Sequence, residues 1–514
     1  MGADNNHNLF TALRAAFPAD LEATAIETAD TATPLFYTWR DLERGTAMLA
    51  NLLDSLGLPP ASRIAVQTEK SVEALMLYLA VLRAGHVFLP LNTAYQASEI
   101  EYFIGNAEPA VVVCAGKNFG WVSKIAFVAG TKHVYTLNED RTGTLLDRAA
   151  FHSPRHTPAV RAADDLAAIL YTSGTTGRSK GAMLTHGNLL SNAQVLHQAW
   201  GWQQKDVLIH ALPIFHVHGL FVASHGALLA GAKMLWFSRF DPRAAATRLP
   251  EATVFMGVPT LYVRLLGEAG LTKEACAGMR LFVSGSAPLL LETFRSWEER
   301  TGHRILERYG MSETVMLTSN PYRPENARRG GTVGRPLPGV GVRVHDEQGQ
   351  ALPAGEIGGI EVRGPNVFKG YWRMPEKTKE EFTADGWFKT GDVGKIDAEG
   401  YVTIVGRSKD LIISGGYNVY PAEIEGYVND MPGVAESAVI GVPHPDFGEA
   451  VVAVVVAKPG AALEGGAISA ALKQQIANFK VPKQVYVVAE LPRNTMGKVQ
   501  KNLLREQHKG LFAR

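Results

Sequence analysis

The amino-acid sequence predicts an α/β protein: a large N-terminal domain of βαβ-type sheets and a small mobile C-terminal domain of the α+β type. Strand-like apolar runs alternate with helical patterns along most of the 514 residues. Short strands separated by helices are typical of parallel sheets with both faces covered. Between residues 340 and 363 the runs shorten and Gly and Pro turns multiply, which indicates a small β-barrel-like subdomain.

Hydrophobic periodicity assigns the individual elements. Apolar runs predict strands in the large domain at Arg63–Gln67, Ala110–Cys114, Ala167–Tyr171, Val207–Ala211, Thr253–Val258 and Leu281–Ser284. Helical spacing predicts amphipathic helices at Val72–Ala84 and Glu292–Thr301. The alternation resumes near the C-terminus, at Pro421–Asn429, Ser437–Val442, Val451–Ala457 and Gln484–Val488. Residues 408–410 separate two strand-like runs, and the family resemblance given below implies a domain boundary after Arg407, with domains 1–407 and 408–514.

Composition excludes several classes of protein. Lys and Arg number 51 against 50 Asp and Glu, a net charge of +1 that disfavours a nucleic-acid partner. The hydrophobic fraction of 46% disfavours disorder. Cys114 and Cys276 are too few for a disulfide framework and are expected to be small buried residues. No apolar run reaches the roughly 20 residues that span a membrane, and no secretory pattern opens the chain. We therefore expect a soluble cytoplasmic protein, a monomer or weak homo-oligomer.

The segment from residue 170 to 181, LYTSGTTGRSKG, has the chemistry of a phosphate-binding loop. Glycines let the backbone approach an anion closely, while hydroxyls and a lysine supply donors. Its spacing is not that of a Walker A loop, because Arg178 and Ser179 separate Gly177 from Lys180. The predicted phosphate-binding residues are Thr172, Ser173, Gly174, Thr175, Thr176, Gly177 and Lys180.

This loop resembles the signature of the adenylate-forming superfamily, which includes acyl-CoA synthetases, luciferases and the adenylation domains of peptide synthetases. Ser179 stands where the family usually has Pro. Further motifs follow in the family's order: SGSAP at 284–288, ERYGMSE at 307–313, WFKTGD at 387–392, GRSKD at 406–410, SGGYNVYP at 414–421 and PRNTMGK at 492–498. The resemblance therefore covers nearly the whole chain.

The resemblance implies sites for ATP, Mg²⁺ and coenzyme A. Besides the loop, the ATP-binding residues are Gly285, Ser286, Ala287, Glu307, Arg308, Tyr309, Gly310, Met311, Ser312, Asp392, Arg407 and Lys498. Asp392 is expected to hold the ribose hydroxyls. The implied catalytic residues are Lys498, Thr175, Glu313 and His216, with Glu313 and Thr175 as metal ligands. Lys409 is implied as the hinge, and coenzyme A is expected at Ser414, Gly415 and Gly416.

The expected acid carries a second carboxylate. Arg264, in VPTLYVR, lies where enzymes that activate fatty acids are expected to have apolar residues. Its guanidinium can donate two parallel hydrogen bonds to a carboxylate. The pattern resembles the malonyl-CoA synthetases of the superfamily, and implies that Arg264, Ser286 and Arg308 hold the distal carboxylate, with His216 or His218 nearby. The implied reaction joins malonate or methylmalonate to coenzyme A through an acyl-adenylate, releasing AMP and pyrophosphate.

Three alternatives remain open at this stage. The chain is a CoA ligase for another short or medium acid if Arg264 points to solvent. It is an acyl-loading module if a separate carrier protein accepts the acyl group. It is a nucleotide-binding regulator if the chemistry is lost, although Glu313, Asp392 and Lys498 are all present.

Overall fold

A computed structural model describes residues 6–172, 179–414, 417–494 and 497–512, apart from the side chain of residue 418. Strands β1 to β24 are, in chain order, Thr24–Thr28, Phe36–Thr38, Arg63–Gln67, Val87–Pro90, Val111–Cys114, His133–Thr136, Leu166–Thr172, Lys180–Thr185, Val207–His210, Lys233–Trp236, Val254–Gly257, Leu281–Ser284, Leu306–Met311, Val315–Ser319, Arg335–Pro336, Gly341–His345, Gly358–Arg363, Phe388–Ile396, Val402–Arg407, Ile412–Ser414, Tyr417–Val419, Val434–His444, Gly448–Ala457 and Gln484–Val488. Helices α1 to α15 are Leu9–Ala15, Trp39–Ser55, Val72–Arg83, Ala97–Ala107, Phe119–Val128, Thr144–Ala149, His186–Ala199, His225–Ala230, Pro242–Arg248, Pro259–Leu266, Leu291–Thr301, Pro375–Glu381, Pro421–Asn429, Gly465–Leu472 and Lys501–His508.

Two mostly parallel sheets form the large N-terminal part. One runs in the order β15-β14-β13-β12-β11-β9-β10-β1-β2 and the other in the order β6-β5-β3-β4-β7-β8. The antiparallel pairs lie at their edges, where β2, β14, β15 and β8 are added. Strands β16 to β19 form a separate antiparallel sheet at the position of the expected subdomain. The predicted α/β class is confirmed.

Helix α3 corrects one prediction. Its periodicity indicated an amphipathic helix, but all twelve residues of Val72–Arg83 are buried. Ser71 caps its N-terminus by accepting the N–H of Ala74 at 3.0 Å. A helix that is apolar all round is typical of a position covered on every side. By contrast, α11 is amphipathic as predicted, since it buries Phe294 and Trp297 while its charged residues stay outside.

The C-terminal part has its own sheet and core. β21, β20, β23 and β22 pair antiparallel, and β24 joins β23 in parallel. Helices α13 and α14 pack their apolar side chains against one face of this sheet. Cys114 and Cys276 are both fully buried thiols, as predicted. Among the described residues no helix is both long and apolar enough to cross a bilayer.

A buried ion pair joins the beginnings of three parallel strands. Asp206 precedes β9, Thr253 precedes β11 and Arg280 precedes β12. The guanidinium of Arg280 donates to both carboxylate oxygens of Asp206, at 2.7 and 2.6 Å, and Thr253 donates its hydroxyl at 2.8 Å. Asp206 is 1% exposed, so its charge depends on these partners.

We expect Arg280→Met to lower the free energy of unfolding by about 3–5 kcal/mol, because it leaves the Asp206 carboxylate buried without its cation. Urea denaturation followed by tryptophan fluorescence measures the change. Arg295→Met, on the exposed face of α11, is the matched control. A loss below about 1 kcal/mol, the range of surface pairs, would contradict this role for the pair.

Candidate active site

A cavity of about 490 Å³ opens where the carboxyl ends of parallel strands meet. Residues that follow β3, β4, β9, β10 and β11 line it. Ligands of open α/β sheets bind at this edge because the loops that follow the strands converge there. The C-terminal part supplies a further wall through Arg493, Asn494 and Gly497. The cavity is therefore built by both parts of the chain.

The carboxylate of Asp392 contacts two of the other residues predicted to bind the nucleotide. The phenol of Tyr309, on β13, donates a hydrogen bond to Asp392, on β18. The other carboxylate oxygen lies 3.1 Å from the guanidinium nitrogen of Arg407, at the end of β19. Burial and the nearby carboxylate hold the pKa of Tyr309 well above its usual value, so the phenol remains a donor. The structure thus brings together three residues that the motifs predicted as nucleotide ligands.

The predicted metal ligand Glu313 is buried beside the same site. The hydroxyl of Tyr371 donates to one of its carboxylate oxygens at 2.9 Å. Burial raises the pKa of Glu313, while Tyr371, Lys180 and Arg407 oppose the shift. The carboxylate fits Mg²⁺, because this ion takes oxygen ligands and needs few from the protein when phosphate and water supply the rest. Within the described chain no cluster of three His, Cys, Asp or Glu side chains forms a metal centre.

The phosphate loop joins two antiparallel strands, β7 and β8. It therefore lacks the helix that follows a Walker A loop, in line with its spacing. Thr172 ends β7 and Lys180 begins β8. The ammonium of Lys180 lies 4.4 Å from the centre of the Tyr371 ring and 3.4 Å from a Glu381 oxygen. The predicted ligands between these strands lie outside the described residues: Ser173, Gly174, Thr175, Thr176 and Gly177.

The guanidinium of Arg308 is buried, and some of its N–H donors are not used in hydrogen bonds with the described residues. It is 2% exposed, and its Nε and Nη2 atoms have no hydrogen-bond acceptor in the part of the chain that the structure describes. Burial lowers its pKa to about 9, so it remains charged at neutral pH. A Cβ atom on Gly285 would collide with this guanidinium, so glycine is required there. An unpaired buried charge is costly, which indicates that an anion completes this site.

Glu307, the neighbour of Arg308, does not supply that anion. Burial raises its pKa to about 8, against the backbone donor of Leu289 and the charge of Arg308. At neutral pH the acid is therefore largely uncharged. One of its oxygens accepts the N–H of Leu289 at 3.3 Å, which ties β13 to the SGSAP loop. The ATP contact that the motif implies for Glu307 stays a prediction.

Two predicted histidines lie next to this loop. The ring of His218 is fully buried, and its Nδ1 lies 3.3 Å from the hydroxyl of Ser286. The backbone N–H of His218 donates to His216 at 3.3 Å. Burial, with the charges of Arg308 and Lys498, lowers the pKa of His216 to about 4. Both rings are therefore neutral at physiological pH. The backbone of Ser286 has a φ of +72°, in the left-handed region.

The remaining predicted nucleotide contacts lie on the same two segments. Gly310 is required by the irregular pairing of β13 with β14, because a Cβ atom would collide with the carbonyl of Val315. The others are partly buried, at Ala287 in the SGSAP loop and at Met311 and Ser312 at the end of β13.

Lys498 reaches this site from the C-terminal part. The residue as a whole is exposed, but desolvation by the surrounding protein atoms, with the positive charge of Arg407, lowers its pKa to about 8, while Asp392 opposes the shift. Asn494 closes its turn by accepting the N–H of Lys498 at 2.9 Å. Gly497 has a φ of +73° and lies against α10, so that a Cβ atom there would be 3.0 Å from the hydroxyl of Thr260. This close fit places the turn of Lys498 over the cavity.

The predicted hinge lies in a single 3-10 turn, Ser408–Asp410. Lys409 is exposed there, and Arg505 of α15 pairs with Asp410 at 2.5 Å. Ser414 ends β20 and is buried. Gly415 and Gly416, the other predicted coenzyme A contacts, lie outside the described residues.

Arg264 lines the cavity from α10, but the residue is exposed, so its role toward the acid stays a prediction. Sequence reasoning missed three other contributors to the site. Lys70 and Arg493 line the same cavity, and Glu381 pairs with Lys180. Lys70 and Glu381 are charged residues outside the quoted motifs, where a surface position is the usual outcome, and Arg493 lies within PRNTMGK but was not predicted as a site residue.

Comparisons with known proteins agree with this geometry. The model of the AMP-binding enzyme family matches residues 17–372, and that of the AMP-binding enzyme C-terminal domain matches residues 423–498. The chain therefore belongs to the AMP-binding enzyme family, as its motifs indicated. Like other members it uses ATP as a substrate.

Within this family, the chain is similar to two malonate–CoA ligases and to MatB. The chain is 36% identical to a malonate–CoA ligase of Arabidopsis thaliana over 88% of its own length and 79% of the relative. It is 34% identical to a mitochondrial malonate–CoA ligase of Mus musculus, over 92% and 87%. ATP-bound MatB from Rhodopseudomonas palustris is 56% identical, with a TM-score of 0.95 over 99% of this chain and 100% of that one. The TM-score to apo MatB is 0.84, so the arrangement described here is nearer to the ATP-bound form.

We expect Asp392→Asn to raise the dissociation constant for ATP about tenfold or more, because hydrogen bonds to a charged group contribute about 1.5–3 kcal/mol each. Isothermal titration calorimetry measures the constant. Asp397→Asn, in the turn after β18, is the matched control and is expected to leave it unchanged. Equal affinities for the two variants would place the ribose elsewhere.

Proposed function

We propose that the protein is a malonate–CoA ligase that forms malonyl-CoA, AMP and pyrophosphate through a malonyl-adenylate. The observation that carries this proposal is the buried guanidinium of Arg308, which has donors without an acceptor among the described residues and whose charge acts on His216, next in the chain to the cavity residue Phe215. Two cations at the acid site suit an acid with a second carboxylate, since its negative charge replaces the missing partner. The named activity of the two malonate–CoA ligases supports the same assignment.

In the first step a carboxylate oxygen of malonate attacks the α-phosphorus of ATP, and the bond to pyrophosphate breaks. The ammonium of Lys498 neutralises the charge that develops around the α-phosphate. Arg308, Ser286 and Arg264 hold the distal carboxylate and orient the other toward phosphorus. Glu313 and Thr175 would hold Mg²⁺, which neutralises phosphate charge when it is bound. The rate acceleration comes from holding the carboxylate next to the α-phosphate and from neutralising phosphate charge, because the reaction needs no protein nucleophile.

In the second step the thiol of coenzyme A attacks the carbonyl carbon of malonyl-adenylate, and AMP leaves with the electron pair of the broken C–O bond. We propose that the C-terminal domain first rotates about Lys409, which withdraws Lys498 and brings the Ser414, Gly415 and Gly416 segment toward the thiol. The same proposal includes a domain boundary after Arg407, a cytoplasmic location and a monomeric or weakly associated state. Methylmalonate is proposed as a second substrate.

The substrate is tested by mass spectrometry of the thioesters formed when malonate, methylmalonate, succinate, acetate, octanoate and benzoate compete with ATP, Mg²⁺ and coenzyme A. We expect malonyl-CoA to dominate. Arg308→Met and Arg264→Ala are expected to lower kcat/KM for malonate by a factor of about 100 each, as loss of a charge-assisted contact predicts, while ATP still binds. Arg295→Met serves as the control. A dominant monocarboxylate product would keep the ligase and overturn malonate as its substrate.

The role of Lys498 predicts a pH dependence for adenylation. Its pKa of about 8 lies below that of an ordinary lysine, so the ammonium is present at pH 7 and is lost as the pH rises through 8. We expect kcat/KM for malonate-dependent pyrophosphate release to fall about tenfold per pH unit above that value. Lys498→Ala should reduce this step by a factor of about 1,000 and affect thioester formation from malonyl-adenylate much less. Lys501→Ala is the control, and equal loss of both steps would contradict the assignment.

A further inference from the structure

Helix α4 contacts both ends of the phosphate loop. Its residues Tyr102 and Asn106 are four positions apart, so they lie on the same face of the helix. The phenol of Tyr102 donates a hydrogen bond of 2.7 Å to the backbone carbonyl of Ser179. The side-chain oxygen of Asn106 accepts a hydrogen bond from the phenol of Tyr171 at 2.5 Å. One face of the helix therefore reaches the end of β7 and the residue that precedes β8.

The aromatic rings of this region pack on one apolar core. Tyr102, Tyr171 and Trp372 are partly buried against the cluster that contains Phe103. The ring of Tyr102 meets that of Tyr171 edge-on, with the ring centres 6.2 Å apart. The indole N–H of Trp372 donates to the backbone carbonyl of Asn106 at 3.1 Å. The phenol of Tyr102 is therefore held in place by the packing of its ring as well as by its hydrogen bond.

The hydrogen bond to Ser179 lies where strand pairing ends. The last pair of the β7–β8 ladder is Thr172 with Lys180, so Ser179 is one residue beyond the ladder. The carbonyl of Ser179 and the N–H of Lys180 belong to one planar peptide unit. The hydroxyl of Thr172 donates to the next carbonyl, that of Lys180, at 3.4 Å. Tyr102 and Thr172 therefore hold the backbone on the two sides of Lys180.

The side chain of Lys180 is also held at its end. Its ammonium lies 4.4 Å from the centre of the Tyr371 ring and 3.4 Å from a carboxylate oxygen of Glu381. A lysine side chain has many rotamers, so a ligand that orders it pays a cost in conformational entropy. Contacts that order the lysine before binding remove part of this cost.

We propose that Tyr102 is a positioning residue for Lys180, the lysine predicted to bind phosphate. This inference rests on the proposed function, whose first step needs ATP, and it adds a residue that lies outside every motif of the chain. Tyr102 acts through the peptide unit between Ser179 and Lys180 rather than by contact with the nucleotide. Loss of its hydroxyl should therefore weaken ATP binding and leave the acid site unchanged.

The affinity for ATP is measured with α,β-methylene-ATP and Mg²⁺ by isothermal titration calorimetry, because this analogue cannot release pyrophosphate. Tyr102→Phe keeps the ring and removes the hydroxyl, and we expect it to raise the dissociation constant about fivefold, within the range of one hydrogen bond. Lys180→Met should raise it about 30-fold, since it removes a charge-assisted contact. With saturating ATP, the KM of Tyr102→Phe for malonate should stay within about twofold of the wild type.

A double-mutant cycle separates positioning from a structural role. If Tyr102 acts through Lys180, its hydroxyl has little left to position once the lysine is removed. Adding Tyr102→Phe to Lys180→Met should then change the dissociation constant by less than about twofold. A further fivefold loss in the double variant would show an effect independent of Lys180 and would overturn the inference.

Tyr401→Phe is the matched control. The phenol of Tyr401 also donates to a backbone carbonyl, that of Ala327 at 2.8 Å, but it lies in the connection between β18 and β19. This variant should bind the analogue as the wild type does, whatever its melting temperature. Wild-type affinity in Tyr102→Phe, or an equal loss in Tyr401→Phe, would overturn the inference.

Failure of the inference and failure of the proposed function give different results. Wild-type affinity in Lys180→Met would remove the phosphate role of Lys180 and overturn the inference, while the thioester competition could still yield malonyl-CoA. A different acid in that competition would overturn malonate as the substrate and leave the expected affinities for the ATP analogue unchanged.

Discussion

The carboxylate of Asp392 is the contact on which the site depends. It joins Tyr309 of the nine-stranded sheet to Arg407 of the four-stranded sheet, two elements that share no strand pairing. The charges of Asp392 and Arg407 also act on Lys498, which lies between β24 and α15 of the C-terminal part. One acidic side chain thereby links the proposed nucleotide contact of Tyr309, the segment before the proposed hinge and the pKa of Lys498.

The proposed acid site differs from this, because Arg308 has no carboxylate partner among the described residues. Arg308 is buried with free donors, whereas Arg280 in the same sheet region is fully paired with Asp206. Arg280 therefore has a carboxylate partner within the fold, whereas Arg308 fits the proposed role of binding an anion from outside the protein. Glu307 is next in the chain but is largely uncharged at neutral pH, so it does not compete with a substrate carboxylate.

Sequence patterns predicted the individual strands well and their arrangement poorly. The run at Arg63–Gln67 matches β3, and the run at Leu281–Ser284 matches β12, because buried parallel strands are continuous apolar segments. That β9 lies between β10 and β11 depends on contacts that no local pattern contains. The motif residues Asp392 and Glu313 could be predicted as a group. Lys70 could not, because its partner His210 lies 140 residues away.

The shared cavity also bears on how such enzymes change their acid preference. Arg264 comes from one domain and Arg493 from the other, and both line the same space. If only the N-terminal domain were exchanged, the new acid pocket would face Arg493, Asn494 and Gly497 of a C-terminal domain that comes from a different protein. Recombination between relatives should retain the turn that contains Asn494 and Gly497 together with α10, since Gly497 and Thr260 fit closely. In evolutionary terms, the two domains are constrained to diverge as one unit of selectivity.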